Sequence, residues 1–99
     1  MLELILAALA AVVIDVVVTV AILAFVSVVQ WFLDLQENMD ENDLAFTIKQ
    51  ELKSGNYTVY QGVFDKSTDK IKKARRINTN KLDTRLAEAH ADDNLVVYT

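Results

Sequence analysis

Apolar residues fall into two regimes along this chain: a nearly unbroken run before Trp31, and short periodic or alternating groups after Asp43. From Leu4 to Val29 there are 26 residues whose only charge is Asp15. As a helix at 1.5 Å per residue, that run is about 39 Å long. It exceeds the roughly 30 Å hydrocarbon core of a bilayer, and tilt would absorb the surplus. Trp31 and Phe32 fall where interfacial aromatics are expected, and Glu3 and Asp34 mark the polar limits. The pattern predicts a single N-terminal transmembrane α-helix. A cleaved signal peptide fits less well, because the n-region holds Glu3 and no basic residue and the apolar stretch is too long.

Asp15 lies near the middle of this run, where a carboxylate costs roughly 2.5–3.5 kcal/mol to insert. On a helix, Ala8, Ala11, Asp15, Thr19 and Gln30 share one arc of about 100°, a stripe of small and polar side chains suited to close helix–helix contact. Thr19, one turn from Asp15, would hydrogen-bond its carboxyl. The stripe predicts an oligomeric bundle held partly by Asp15. A proton- or ion-conducting ring is the sharper alternative, but no Glu, His, Lys or Arg joins Asp15 in a relay.

Beyond the run, Leu44, Ile48 and Leu52 recur at i, i+4 and i+8 and predict a short amphipathic helix. Asn42 or Asp43 would cap its start, and Gly55 would supply a left-handed stop. Tyr57 to Phe64, rich in aromatic and β-branched residues, predicts a strand, and Asp65 to Asp69 a polar turn. Ile71 to Ile77 predicts the returning antiparallel strand. Asn78 or Thr79 would cap a helix from Asn80 to Ala91 with Leu82, Leu86 and Ala89 as its stripe. Leu95 to Tyr98 predicts a terminal strand. The expected fold class is one transmembrane helix followed by a small α+β domain (helix, β-hairpin, helix, strand) with a three-stranded, mostly antiparallel sheet. The expected divisions are 1–33, helix and interfacial flank; 34–43, acidic juxtamembrane junction; and 44–99, the α+β domain.

Charge sharpens that division. No Lys or Arg precedes Lys49; Asp34, Glu37, Asp40, Glu41 and Asp43 make the junction acidic; and Lys66 to Arg85 holds eight basic residues against Asp69 and Asp83. The positive-inside rule then biases the C-terminal domain toward the cytoplasm. The run Lys70, Lys72, Lys73, Arg75 and Arg76 has no interleaved aromatic residue, which disfavours nucleic acid. Lipid headgroups or the acidic junction of a neighbouring copy suit it better, beside the plain alternative of a solvated face.

With no cysteine and a single histidine, His90, the sequence offers no disulfide or thiolate chemistry. It shows no catalytic, cofactor or metal-ligand constellation around His90 either. The expectation is a non-enzymatic, single-pass membrane protein with a structural, oligomer-forming or docking role. An accessory subunit of a larger membrane complex is the alternative. Its expected partners are membrane lipid and further copies of itself or other membrane subunits, with no small-molecule substrate.

Overall fold

A computed structural model describes residues 1–98, so only the last position of the expected 44–99 domain lies outside it. The 26-residue apolar run is not one helix. It divides into a helix α1 (Leu2–Ala10), a strand β1 (Val17–Leu23) and the start of a second helix α2 (Phe25–Leu35). No helix among the described residues is long and apolar enough to cross a membrane. This overturns the transmembrane helix, the single-pass membrane description and the membrane localisation inferred from it.

The physical reason is a change of residue type inside a uniformly apolar stretch. Residues 2–10 are Leu, Ala, Ile and Glu, good helix formers, whereas 12–20 are dominated by valine, whose branched side chain favours extended backbone. Asp15 falls in the connection between them. β1 is apolar at exposed positions such as Val17 and Ile22 as well as at packed ones, so hydropathy alone confuses it with a span.

After a 3-10 turn at Gln36–Asn38 come β2 (Asp43–Glu51), β3 (Tyr57–Asp65), β4 (Lys70–Leu82), a short helix α3 (Thr84–Ala89) and β5 (Leu95–Tyr98). The sheet has five strands in the order β1-β4-β3-β2-β5. It is mixed: β1 runs parallel to β4, with Val18 opposite Ile77, and the other pairings are antiparallel. The expected three-stranded sheet is therefore replaced by a larger one that absorbs the N-terminal segment.

The expected helix at Leu44–Leu52 is the strand β2. A spacing of four is a multiple of two, so Leu44 and Ile48 share one strand face as readily as one helix face. With Phe46 they pack on α1, while Ala45 on the other face joins the cluster beneath α2. Gly55 does take a left-handed conformation, φ +90°, but in the β2–β3 turn, closed by Leu52 and Asn56. The expected helix from Asn80 to Ala91 shrinks to α3, because β4 continues through Leu82 and Asp83 caps the helix.

Two cores result, one on each sheet face. Ile5 and Ala8 of α1 pack against Phe46, Ile48 and Phe64. Val28 and Phe32 of α2 and Leu86 of α3 pack against Val59, Val63 and Ile77. A register shift between Val63 and Phe64 lets β4 serve both: Ile71 faces α1 and Ile77 faces α2.

Candidate functional site

The residues expected to form one intramembrane stripe are dispersed. Ala8 is buried in α1, Ala11 follows that helix, Asp15 is exposed in the connection, Thr19 is exposed on β1, and Gln30 on α2 donates to Asp34 Oδ1 at 2.9 Å. Asp15 lies two residues before β1, and Thr19 within it, at the edge of the sheet.

That edge is the least protected surface of the molecule. β1 has β4 on one side and no strand on the other. The Arg76 N–H donates to the Val16 carbonyl at 3.0 Å. Strand alternation then turns the peptide groups of Val17 and Thr19 to the open side. Natural sheets protect such edges with charge, proline, bulges or brevity. β5, the opposite edge, has four residues and follows Asp92 and Asp93; β1 has seven, Val-Val-Thr-Val-Ala-Ile-Leu, with no charge and no proline. Val17 and Ile22 are each 54% exposed, and Leu4 and Leu6 on the outer side of α1 are 50% and 46% exposed. A separate groove of about 430 Å³ lies between α1 and Ile48, Lys49, Gln50 and Tyr60, over β2 and β3 and away from β1.

The basic run does not present a uniform face. Lys72 Nζ lies 2.7 Å from Asp43 Oδ2 and 3.8 Å from Asp40, and the Asp43 hydrogen bond holds its pKa above the usual lysine value. The acidic and basic blocks therefore meet within one chain. Arg75 Nε donates to Gln61 Oε1 at 2.8 Å and its guanidinium lies over Trp31, 5.3 Å from the ring centre. Burial pushes the Arg75 pKa down. Gln61 Nε2 in turn donates to the Val28 carbonyl at 2.8 Å, tying the sheet to α2. Lys70, Lys73 and Arg76 are left exposed.

His90 is 1% exposed and ends α3. Its Nδ1 lies 3.0 Å from the Asp93 carbonyl, which can only accept, so Nδ1 carries the proton. Nε2 is then an acceptor, and the Thr47 hydroxyl donates to it at 2.7 Å. Thr47 Oγ1 accepts in turn from the Tyr98 hydroxyl at 2.7 Å. Burial pushes the His90 pKa down, opposed by its hydrogen bond to Asp93, with Lys49 adding a like charge. Lys49 Nζ donates to the His90 carbonyl at 3.3 Å. A hydroxyl donating to an imidazole is half of a nucleophile–base arrangement. Thr47, however, has no exposed surface. In this structure the chain of hydrogen bonds fastens α3 and β5 to β2.

Sequence reasoning missed Thr47, Gln61 and Tyr98. Reading Leu44 to Leu52 as a strand would have placed Thr47 on the opposite face from Phe46 and Ile48, but nothing in the sequence pairs it with His90. Among the described residues, no three His, Cys, Asp or Glu side chains come together to hold a metal ion. No family model, curated protein or solved structure matches the chain.

Proposed function

We propose that this protein is a structural, self-associating module that works through the surface formed by α1 and the open edge of β1. The observation that carries the reading is the unguarded β1 edge: seven uncharged residues, Val17 and Ile22 among them half-exposed, at the side of a sheet whose other edge is short. An edge of this kind is a template for another strand, and covering it removes both unpaired peptide groups and apolar surface from water. The polar chemistry described above is spent on internal bracing, Arg75 on Gln61, Lys72 on Asp43 and His90 on Thr47. None of these three contacts presents an arrangement for converting a substrate.

Sedimentation of the full-length chain over a wide concentration range tests the reading. The expected particle is larger than the 11.1 kDa chain, and Val17→Lys, at a position already in contact with solvent, should return it to the monomer mass. A wild-type chain that stays monomeric at every concentration overturns it.

A further inference from the structure

We propose that the groove between α2 and the first half of β4 binds a small organic phosphomonoester, its phosphate held by Arg75 and Lys73 beside Trp31. The site uses no residue of α1 or β1, and the proposal is independent of self-association.

Arg75 is half-buried and held in place from two sides. Its Nε donates to Gln61 Oε1, and Gln61, itself 0% exposed, is fixed in turn by donating to the Val28 carbonyl. The Trp31 ring supports the guanidinium from beneath. A guanidinium carries N–H donors on every nitrogen, and this bracing uses only the one on Nε. Among the described residues, the N–H groups of Nη1 and Nη2 find no acceptor, and no carboxylate forms an ion pair with Arg75. Burial alone moves its pKa, downward, with no neighbouring anion to oppose the shift. A partly desolvated cation ordinarily has a counter-ion. Here the chain supplies a rigid fork and leaves the anion to come from outside.

The surroundings suit a phosphate monoester. Lys73 pairs with Val63 and Arg75 with Gln61, so both side chains rise on the α2 face of β4, two residues apart. α2 provides the opposite wall: Trp31 stands one turn before Leu35, and Leu35 lines a cleft of about 150 Å³ together with Asn38, Met39, Val63 and Lys73. Lys73 is exposed and has no ion-pair partner among the described residues, whereas Lys72, also in the cleft, is neutralised by Asp43. β1 begins to pair with β4 only at Arg76, so no strand closes the groove beside Lys73. Two unpaired cations match the charge of a phosphomonoester, about −1.5 to −2 at pH 7, better than the single charge of a carboxylate. Asp34, Glu37, Asp40 and Glu41 lie along α2 and the turn after it and repel an extended polyanion, which favours a ligand with one phosphate.

Trp31 is the only tryptophan, so its fluorescence in the full-length chain reports on this site. Titration with methyl phosphate at neutral pH and constant ionic strength should shift Trp31 emission saturably. Methyl sulfate, a monoanion of the same shape, should bind about tenfold more weakly. Arg75→Lys, which keeps the charge and loses the fork, and Lys73→Gln should each weaken methyl phosphate binding about tenfold. Lys66→Gln, exposed in the β3–β4 turn, should leave it unchanged. Because Arg75 also braces the sheet, Lys73→Gln at its exposed position carries the test if Arg75→Lys does not fold. A wild-type emission that does not respond, or a response retained in full by Lys73→Gln, overturns the proposal. So does an equal response to sodium chloride, which is screening alone. Tighter binding of a single-stranded oligonucleotide than of methyl phosphate, lost in Lys73→Gln, assigns the groove to nucleic acid and overturns the small-ligand reading. Sedimentation tests self-association separately, so either reading can fail without the other.

Discussion

The Asp83 carboxylate accepts the backbone N–H of Phe25 at 2.9 Å, across 58 positions of sequence. Its other oxygen accepts from the Leu86 N–H at 2.9 Å. One side chain therefore satisfies an orphan donor at the start of α2 and another at the start of α3, while its own N–H donates to the Leu23 carbonyl. Neither helix supplies a side-chain cap from its own N-cap position except through this residue: Ala24 precedes α2 and has none to offer.

Replacing Asp83 should separate these roles. Asp83→Asn keeps one acceptor oxygen and should cost about 1 kcal/mol, the usual value of one cap. Asp83→Ala removes both acceptors and should cost about 2–3 kcal/mol. Urea denaturation of the three proteins gives the series directly. Equal losses for the two variants would show that only one of the caps contributes.

Gly62 is required for contact and not for its backbone angle. A Cβ there would meet the Lys73 carbonyl oxygen at 2.8 Å and the Phe46 ring at 2.9 Å. The carbonyl belongs to the adjoining strand β4, which cannot retreat without loosening the β3–β4 ladder. Gly62→Ala is expected to destabilise by about 1–3 kcal/mol, in the range for overpacking. Trimming the ring with Phe46→Leu in the same chain should recover only part of that, since the carbonyl clash persists. Full recovery would place the strain in the ring alone.

His90 should impose a pH dependence of known sign. Burial holds its folded-state pKa below the ordinary value of 6.5, so between the two values the unfolded chain binds more protons. Its contribution is fully present above about pH 6.5 and is lost as pH falls below that, until the folded value is passed. Melting temperature should therefore drop between pH 7 and 5, and His90→Gln should flatten that slope while lowering stability throughout. Tyr98, whose pKa burial raises, acts at the other limit: its contribution is lost as pH climbs past 10, and Tyr98→Phe should remove that loss. An unchanged acid slope in His90→Gln would assign it to the carboxylates.

The Arg75–Gln61 pair should show asymmetric costs. Gln61→Leu leaves a partly buried guanidinium without its acceptor and the Val28 carbonyl without its second donor. Leaving a partly buried polar or charged group without its partner commonly costs about 1–3 kcal/mol, whereas replacing the charge by an apolar chain of similar shape costs less. Gln61→Leu should accordingly be more destabilising than Arg75→Met, and the double variant should lie below the sum of the singles. Strict additivity in the double-variant cycle would mean that the two side chains do not interact.

What the sequence conveyed depended on whether local pattern and tertiary role coincided. Tyr57 to Phe64, the Asp65 to Asp69 turn, the return through Ile71 to Ile77 and the terminal Leu95 to Tyr98 are all strand or turn as expected, because β-branched and aromatic content agrees there with sheet position. β2 does not show itself as a strand because both of its faces are buried, which erases alternation. β1 is hidden because the apolar run that holds it resembles a membrane span, and its partner β4 is far away in sequence. The bracing around His90 depends on Thr47 and Tyr98, which lie 43 positions before and 8 after it, and no spacing rule links them. Lys72 and Asp43 lay in the two charge blocks recognised from sequence, but their meeting inside one chain follows from β2 and β4 flanking β3.

The parallel seating of β1 beside β4 also fixes an order of events during biosynthesis. Val18 waits for Ile77, and Leu23 for Leu82, so β1 leaves the ribosome before β2, β3 and β4 and cannot be seated until β4 has followed. The β2–β3 and β3–β4 hairpins, whose partners are close in sequence, need no such delay. In refolding kinetics, Val20→Ala should mainly accelerate unfolding, whereas Val59→Ala in the central hairpin should mainly slow folding. Until β4 is complete, the nascent chain carries an uncharged valine-rich segment with nothing of its own to pair with. That interval is when a chaperone would find this protein most in need of shelter.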